Sequence, residues 1–521
     1  MKAFRIVYLC VLIIASFKAS AQSAYTFLEN NAGYFLQKHV HQLNVYHHTA
    51  VWPILMADST KKKLFDEQQA LGDKFFKEQY INPSAKLNFM VLPLGGFNVE
   101  KYQGINDTSV SDLSGGFMAV VNYKNKLTFS GDFLGTKGTI SPFLIQRFDS
   151  LEVMPGFGLR YNGTPGKMYY ENWNASVSFS PNKFINVQVG KGKNFLGYGY
   201  RSLFLSDNAT SYPFAKFTTT FWRIKYISMV AQLKDIRGAN AVPANYFNKY
   251  ATFHLLSWNI TKRLNINIFE SVVWQAKDTL QNRQLDINYL NPVIFFRPVE
   301  YSLGSSDNSI LGLGAQFKLN NEMSIYGQGL LDEFLLAQIK ADSGWWANKY
   351  GLQIGFKAFE PFKLKGFYFQ TEYNAIRPFT YSHGSVYQNY AHFNQPLSHP
   401  MGANCRDWVT IVQYRYKWLT VSNRTVIGNY GTDTSGLNFG GNLFQSYKTR
   451  AQEYHNFIGQ GLNNNLFYNK IGVELLLLKQ NNLKVELAYT LRKLSNSKQT
   501  QTTNFISLCI SANLYNRYND Y

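Results

Sequence analysis

Two segments near the C-terminus alternate apolar with small or polar side chains, and they constrain the fold more than any other feature of the chain. They run from Leu483 to Leu491 and from Phe505 to Leu514. In the second segment the even-numbered side chains from Ile506 to Leu514 are apolar, and the odd-numbered ones between them are serine, cysteine or asparagine. A period of two is that of a strand with two different faces, and no helical pattern fits it. The segments predict closing strands of a β-barrel.

The N-terminus has the features of a secretion signal. Lys2 and Arg5 precede an apolar run from Ile6 to Phe17, and residues 19–21 are the small residues that a signal peptidase requires. Cleavage is expected before Gln22. Beyond the leader no uninterrupted apolar stretch of about 18 residues occurs, so a closed barrel is the expected way for this chain to cross a bilayer. The two features together predict localisation in a bacterial outer membrane.

The composition fits a barrel better than an ordinary soluble enzyme. Aromatic residues make up 16% of the chain, and charged residues also make up only 16%. Outer-membrane barrels need aromatic girdles and an apolar belt outside together with a polar interior. The alternative is a large secreted β-sandwich or propeller, which is also rich in aromatic residues and glycine. The barrel is favoured because strand patterns continue without a domain break.

Charge and cysteine content limit the partners and the cofactors. The formal net charge is +20, and without the leader residues Lys2, Arg5 and Lys18 it is about +17, which favours anionic partners such as lipid phosphates and acidic polysaccharides. Nucleic acid is not expected, because an exported chain meets little of it and the basic residues are scattered. Cys405 and Cys509 lie in separate contexts, so no disulfide framework is predicted. No cofactor is predicted.

The region that follows the leader differs from the rest of the chain. Between Ser59 and Tyr80, apolar residues recur at near-helical spacing behind two candidate cap residues. We therefore predict three parts: a signal peptide over residues 1–21, a helical N-terminal segment over 22–83 that could plug the barrel from the periplasm, and an outer-membrane β-barrel over 84–521.

Strand patterns fill the third part. The run from Phe217 to Leu233 is long enough for two strands or one very long strand. Counted along the chain, the patterns predict an all-β transmembrane antiparallel barrel of about 16 to 18 strands. One insertion departs from them: Asp332 to Ala341 predicts a short helix, followed by the adjacent residues Trp345 and Trp346. These indoles would stack on sugar rings if they face solvent. The alternative is that they belong to an interfacial girdle or hold the short helix against the barrel.

Five longer motifs carry a resemblance to a known family. They are GYGYRSLFLSDNA (197–209), TTTFWRIKY (218–226), NPVIFFRPVEYSLGSSDN (291–308), GWWANKYG (344–351) and RPFTYSHGSVYQNYAHFNQPLSHPMGAN (377–404). In combination they resemble the capsule assembly Wzi family, and within it the Bacteroidetes branch known as gliding motility protein RemB. The resemblance covers residue 80 to the C-terminus. It implies an outer-membrane barrel of about 18 strands with a helical periplasmic plug, and in the better understood branch a surface lectin for capsular polysaccharide.

Candidate glycan-binding residues lie in these motifs and in the neighbouring loops. Carboxylates and amides accept or donate several hydrogen bonds to sugar hydroxyls, and aromatic rings pack on sugar faces. The alternative for each polar residue is a structural role inside the barrel. The predicted set is Arg201, Asp207, Asn208, Glu300, Asp307, Trp345, Trp346, Tyr381, His383, Tyr390 and His392.

Metal binding and catalysis are not predicted. His383, His392 and His399 lie close together, but their spacing fits no zinc motif, and two prolines indicate an extended loop. The chain has no GxSxG motif, and a pair of His383 with Ser385 or Ser398 is the remaining candidate for a hydrolase.

Three classes of function therefore remain. The first is a non-enzymatic barrel that binds or anchors surface polysaccharide, with outer-membrane lipid as its surroundings. The second is an anchor or accessory subunit of a gliding motility or adhesin system, with surface proteins as partners. The third is a porin-type channel, which requires an open lumen.

Overall fold

The chain folds into a closed antiparallel barrel of eighteen strands. The computed structural model describes residues 22–24, 37–38, 40–43, 46, 48–53, 55–57, 86–103, 108–124, 126–158, 166–239, 242–277, 283–291, 307–478, 482–514 and 516–521. The predicted helix between Ser59 and Tyr80 and the leader lie outside these residues. Among the residues described, no helix is long and apolar enough to cross a membrane.

The barrel strands follow one another around the wall in chain order, and the last strand pairs with the first. Their bounds are β4 (Leu87–Gln103), β5 (Ser109–Tyr123), β6 (Leu127–Thr139), β7 (Lys167–Phe179), β8 (Ile185–Gly192), β10 (Tyr212–Phe221), β11 (Ile224–Asp235), β12 (Phe247–Asn259), β13 (Leu264–Gln275), β14 (Asn308–Lys318), β15 (Met323–Glu333), β16 (Lys349–Phe359), β17 (Phe367–Ile376), β20 (Cys405–Tyr416), β21 (Leu419–Thr432), β22 (Leu462–Leu478), β23 (Leu483–Ser495) and β24 (Thr500–Ala512).

The remaining elements are short. Three small pairings join β1 (Gln22–Ala24) to β3 (Leu55–Ala57), β2 (Val51–Trp52) to β9 (Phe195–Leu196), and β18 (Ala391–His392) to β19 (Gln395–Pro396). Helices α1 (Pro142–Leu151) and α2 (Leu336–Lys340) lie in loops, and 3₁₀ turns cover Pro243–Asn245, Ile287–Leu290, Pro361–Lys363, Val386–Gln388 and Tyr447–Thr449.

The prediction of an all-β barrel is confirmed, and the structure fixes the strand count at the upper end of the predicted range. The long run from Phe217 to Leu233 divides into β10 and β11 around a tight turn at Trp222 and Arg223. The helix predicted from Asp332 to Ala341 is shorter than expected, because Asp332 and Glu333 continue β15 before α2 begins. Helix α1 was not predicted.

The outer wall has the surface of a lipid-facing barrel. Outward positions carry large exposed apolar side chains, among them Val91, Phe117, Leu352, Leu487 and Leu508. Exposed aromatic residues gather at the end with the short turns, where they form an interfacial girdle: Phe221, Trp222, Phe362, Tyr416 and Trp418. The chain is an outer-membrane β-barrel protein.

Loop length orients the barrel in the membrane. The turns at one end are short, from two residues at 222–223 and 417–418 to seven at 360–366. Most connections at the other end are much longer, including 193–211, 377–404 and 433–461. Short periplasmic turns and long extracellular loops are the rule for such barrels, so the long-loop end faces the outside.

Two of the long loops fold inward and fill the lumen. We name them the Arg201 loop (193–211) and the His383 loop (377–404), and nearly all of their side chains are buried. Leu203, Phe204 and Tyr381 belong to the same apolar cluster as Phe253 and Phe269 of the wall. The rings of Phe204 and Phe269 stack with centroids 4.7 Å apart. Full burial of such side chains contributes about 1.5–3 kcal/mol each, so the loops form a packed core.

We call the Arg201 loop, the His383 loop and the segments that join them inside the lumen the plug. Segments near both ends of the described chain belong to it. On the periplasmic side, Val51 and Trp52 pair with the Arg201 loop as β2 and β9, and His48 Nδ1 lies 2.9 Å from Ser257 Oγ. The C-terminal tail (513–521) turns back into the lumen, where Asp520 and Tyr521 are buried. The lumen is therefore occupied from both sides.

Buried ion pairs join these pieces. Asp520 accepts a hydrogen bond from Arg201 Nη2 at 3.0 Å and lies 3.3 Å from Arg424 Nη1. Asp407 of β20 lies 3.4 Å from Arg201 Nε. Glu372 of β17 accepts hydrogen bonds from the backbone N–H groups of Tyr200 and Arg201 at 2.8 and 2.9 Å. Loop, tail and wall thus share one network.

Replacing Arg201 should test this network. In Arg201→Met, Asp520 and Asp407 lose a buried partner, and breaking a buried pair costs about 3–5 kcal/mol. We expect the urea midpoint of the purified barrel in detergent to fall accordingly. Arg263→Met, at an exposed periplasmic turn, is the control and should leave the midpoint unchanged. Equal midpoints for Arg201→Met and the wild type would contradict the role of the network.

Candidate functional site

The candidate site lies on the extracellular side, where the Trp345 loop (334–348) meets the Arg450 loop (433–461). The backbone N–H of Trp346 donates to the carbonyl of Glu453 at 2.9 Å, and that of Asn456 donates to the carbonyl of Gly344 at 2.8 Å. Gly344 has φ +61°, and a Cβ atom there would lie 2.7 Å from His455 Cα. The sequence GWW therefore allows the two loops to approach at backbone distance.

Glu453 is the centre of this contact. The indole N–H groups of Trp345 and Trp346 both donate to its Oε1, at 3.1 and 2.9 Å. Arg450 Nε donates to its Oε2 at 2.8 Å. The guanidinium of Arg450 also lies over the ring of Trp346, 4.3 Å from its centroid. One carboxylate thus fixes two indoles and a cation.

The electrostatics keep this carboxylate charged. Desolvation of Glu453 acts to raise its pKa, but the hydrogen bonds from Arg450, Trp345 and Trp346 and the charge of Arg450 together outweigh it and hold the pKa below the ordinary value. The indoles therefore face an anion at neutral pH, and charge-assisted hydrogen bonds of this kind are the stronger ones.

The two tryptophans have different surroundings. Trp346 is buried against Phe379 and Tyr447, with ring centroids 6.1 and 4.8 Å away. Trp345 is half-buried and meets Trp346 edge to face at 6.2 Å. Nearby in the Arg450 loop, Tyr454 and Phe457 are exposed. Of the predicted pair, Trp345 is therefore the one that offers a ring face next to other exposed aromatics.

The structure places the other predicted glycan residues mostly inside the barrel. Asp207 accepts hydrogen bonds from Tyr518 Oη at 2.6 Å and from Asn516 Nδ2 at 3.1 Å. Asn208 Nδ2 donates to the carbonyl of Pro396 at 3.1 Å. Together with Arg201, these side chains bind the tail and the His383 loop. Glycan contact through them would require the Arg201 loop to leave the lumen, and it stays a prediction.

The predicted residues of the His383 loop have similar roles. The hydroxyls of Tyr381 and Tyr390 donate to the carbonyls of Leu203 and Phe204, at 2.9 and 2.6 Å. Burial and nearby lysine charges lower the pKa of His383 to about 4 and that of His392 to about 3, so both are neutral at pH 7. These side chains hold the two inner loops together.

Asp307 and Glu300 complete the predicted set. Asp307 accepts hydrogen bonds from Arg283 Nη1 at 2.9 Å, Tyr289 Oη at 2.7 Å and Gln388 Nε2 at 2.8 Å, and it is buried. It ties the connection after β13 to the His383 loop. Glu300 lies outside the described residues.

The His383 and Ser385 side chains do not form a hydrolase pair, because His383 Nδ1 accepts a hydrogen bond from the backbone N–H of Ser385 at 3.2 Å and not from its hydroxyl. Ser385 Oγ donates to Gln275 Oε1 at 2.9 Å, and Ser398 is fully buried. Among the residues that the structure describes, no three His, Cys, Asp or Glu side chains are placed to hold a metal ion.

A thiol, an imidazole and a carboxylate do come together where the His383 loop enters β20. Cys405 Sγ lies 4.0 Å from His399 Nδ1, and His399 Nε2 lies 3.2 Å from Asp407 Oδ1. All three side chains are at most 1% exposed. Since the thiol is buried away from solvent, the contact of Cys405, His399 and Asp407 is a packing contact that joins the loop to the wall.

Sequence reasoning missed Glu453, Arg450 and Tyr447. The spacing of Arg450 and Glu453 indicates a local ion pair. Nothing in the local pattern links that pair to indoles about a hundred residues earlier, because the link depends on how two loops meet above the barrel.

Comparisons with known proteins give a limited result. No family model and no curated protein matches the chain. Among solved structures, OprD of Pseudomonas aeruginosa shares 12% identity over 81% of this chain and 94% of its own, with a TM-score of 0.41. OccAB2 of Acinetobacter baumannii shares 11% identity over 82% of this chain and 97% of its own, with a TM-score of 0.43. This similarity is too low to assign a function, and the resemblance to capsule assembly proteins stays a prediction.

Acidification should release the contact between the two outer loops. The folded pKa of Glu453 is depressed, so its contribution is present above the ordinary glutamate pKa of about 4.3 and is lost as the pH falls through the lower folded value. We expect the rate of cleavage in the Arg450 loop, measured at each pH with a protease active there and divided by its rate on an unstructured peptide, to stay constant from pH 8 to pH 5 and to rise below about pH 4.

The variant Glu453→Gln is the matched test. In this variant the loop should be cut at the fast rate already at neutral pH, whereas Asp342→Asn, which alters an exposed carboxylate of the Trp345 loop, should behave like the wild type there. Equal rates for Glu453→Gln and the wild type at pH 7 would show that the carboxylate does not hold the loops.

Proposed function

We propose that this protein is a non-enzymatic, non-conducting outer-membrane barrel that binds surface polysaccharide with its extracellular loops. The observation that carries the proposal is the filled lumen, in which the Arg201 loop, the His383 loop and the C-terminal tail are buried and paired. A barrel filled in this way leaves its outer loops as the part able to meet a large ligand.

The outer loops have suitable chemistry for a sugar polymer. Trp345, Tyr454 and Phe457 offer partly or fully exposed aromatic surface. Lys448 is exposed in the same loop and adds positive charge, whereas the charge of Arg450 is balanced by Glu453. Aromatic faces pack on the C–H faces of pyranose rings, and cations favour acidic polymers. The resemblance of the sequence to the capsule assembly family points in the same direction.

The cell-level test uses a strain that lacks the gene, complemented with the wild type or with Trp345→Ala. We expect the deletion strain to make polysaccharide and shed it into the medium, and the wild-type gene to restore retention. Normal retention in the deletion strain would remove the tethering role. Loss of spreading or of surface adhesins without shedding would favour the motility or adhesin anchor.

The molecular test measures binding of the cell's own purified polysaccharide to the folded barrel. Trp345→Ala should weaken binding by about threefold to tenfold, because an aromatic contact contributes about 0.5–1.5 kcal/mol. Trp418→Ala removes an equally large but periplasmic indole, exposed in the turn after β20, and should bind like the wild type. Unchanged binding by Trp345→Ala would take this residue out of the site.

A channel is the second candidate, and a specific observation favours it. Two cavities of about 200 and 120 Å³ lie between the plug and the part of the wall that runs from β16 through β24 to β7. Both are lined by Arg424, Lys470 and Glu486, with Lys470 Nζ 2.9 Å from Glu486 Oε2. A polar path for small solutes would run along this side of the lumen.

Planar-bilayer recording separates the two candidates. We expect the wild-type barrel to show no steady ion conductance, because the plug is held by buried ion pairs, and Arg201→Met to show a measurable leak. Heat-modifiable migration in gels confirms that both samples are folded. A steady open-pore conductance of the wild type would contradict the first proposal and support the channel.

A further inference from the structure

The exposed lysines at outward-facing strand positions lie on one side of the barrel, and Arg406 of β20 is an exposed outward-facing cation outside that side. Six consecutive strands, β12 to β17, are described in full, and their outward-facing positions include no lysine or arginine. The outward positions of another six consecutive strands, from β23 through β24 and β4 to β7, include four lysines and one acidic residue, Glu171. The lysines are Lys101, Lys137, Lys167 and Lys493, and all four are exposed.

These lysines lie just beyond the apolar belt. Lys493 comes two residues after the outward-facing Leu491, and Lys101 comes two residues after Val99. Lys137 comes four residues after Phe133, an exposed side chain of the belt. The three strands concerned, β23, β4 and β6, all run toward the extracellular end of the barrel. The lysines are therefore at the level of the outer-leaflet headgroups, where anionic phosphate groups begin.

Lys137 and Lys167 form the centre of the patch. Lys137 is paired with Tyr169, and Thr139 is paired with Lys167, so the two lysines are diagonal neighbours on the same face. Lys167 Nζ donates to Thr139 Oγ1 at 3.3 Å. Two cations beside a hydroxyl are a suitable donor set for phosphate oxygens.

An open groove of about 510 Å³ runs past these residues. Its polar lining includes both lysines, Ser111, Thr139 and Tyr169, and its apolar lining includes Phe97 and Leu113. Asp112 also borders the groove, but its carboxylate faces the lumen, where Asn98 Nδ2 donates to it at 3.1 Å and Arg517 Nη1 lies 3.8 Å away. The groove thus combines phosphate donors with apolar surface that continues the lipid belt.

We propose that this groove, with Lys137 and Lys167 at its centre, binds the phosphorylated headgroup of an outer-leaflet glycolipid. The occupant is a lipid because the groove opens sideways on the membrane wall, and its apolar lining is continuous with the belt that contacts acyl chains. The site is independent of the loops assigned to polysaccharide. It fixes one side of the barrel to anionic lipid and leaves the wall of β12 to β17 without such contacts.

The test titrates the folded full-length barrel in detergent with bisphosphorylated lipid A and with its dephosphorylated form, and counts bound lipid by native mass spectrometry. We expect the phosphorylated form to bind and the dephosphorylated form to bind at least tenfold more weakly. The double variant Lys137→Gln/Lys167→Gln should weaken binding of the phosphorylated form by roughly thirtyfold.

The control keeps the change of charge and moves it along the same strands. Lys124→Gln/Lys126→Gln alters the periplasmic turn between β5 and β6, and it should bind lipid A like the wild type. Equal weakening by the two double variants would show non-specific charge attraction and overturn the site. Displacement of lipid A by millimolar inorganic phosphate would also overturn the proposal, because the site would then take free phosphate.

Discussion

The carboxylate of Asp520 lies between two guanidinium groups, and the filled lumen depends on this contact. Arg201 arrives from an extracellular loop, Arg424 from the wall, and Asp520 from the C-terminal tail. A charge in such an interior is tolerated only when it is paired, so removing one of the three charged side chains leaves the others without a partner. The three pieces must be placed together. Tyr200 adds a hydroxyl that donates to Asp520 at 2.8 Å, and Glu372, on β17 two strands away from Arg424, holds the loop backbone.

Because the lumen is filled, the surfaces that can meet a large ligand lie on the outside of the barrel. The polar residues that a lectin would use in the Arg201 loop are already bound to the tail and to the His383 loop. Above them, Glu453 fixes Trp345 and Trp346 in one orientation, so that less conformational entropy is lost when a ligand packs on the exposed ring. Two cavities with charged linings lie inside the barrel along the wall from β16 through β24 to β7, where a channel would pass.

The sequence predicted the barrel much better than the site. Alternation in Leu483–Leu491 and in Phe505–Leu514 depends on neighbouring residues alone, and both segments became strands, although β24 begins earlier, at Thr500. The site prediction relied on residue type in loops. Asp207 and Asn208 have the side chains of a sugar site, yet a loop pattern does not tell whether the loop turns outward or into the barrel. In this structure both residues have a structural role inside the barrel, where Asp207 binds the C-terminal tail and Asn208 binds the His383 loop.

What the sequence determined by itself is therefore local and periodic: two-faced strands that follow one another without a domain break, and hence a closed barrel of about 16 to 18 of them. What only the tertiary structure decided is how the lumen is filled. Eighteen strands enclose more space than the inward side chains of the wall can occupy, so other segments must enter it. Which segments enter depends on pairings such as Arg201 with Asp520, which are more than three hundred residues apart in the chain. No local pattern encodes a contact over that distance, because it forms only after the barrel has closed around it.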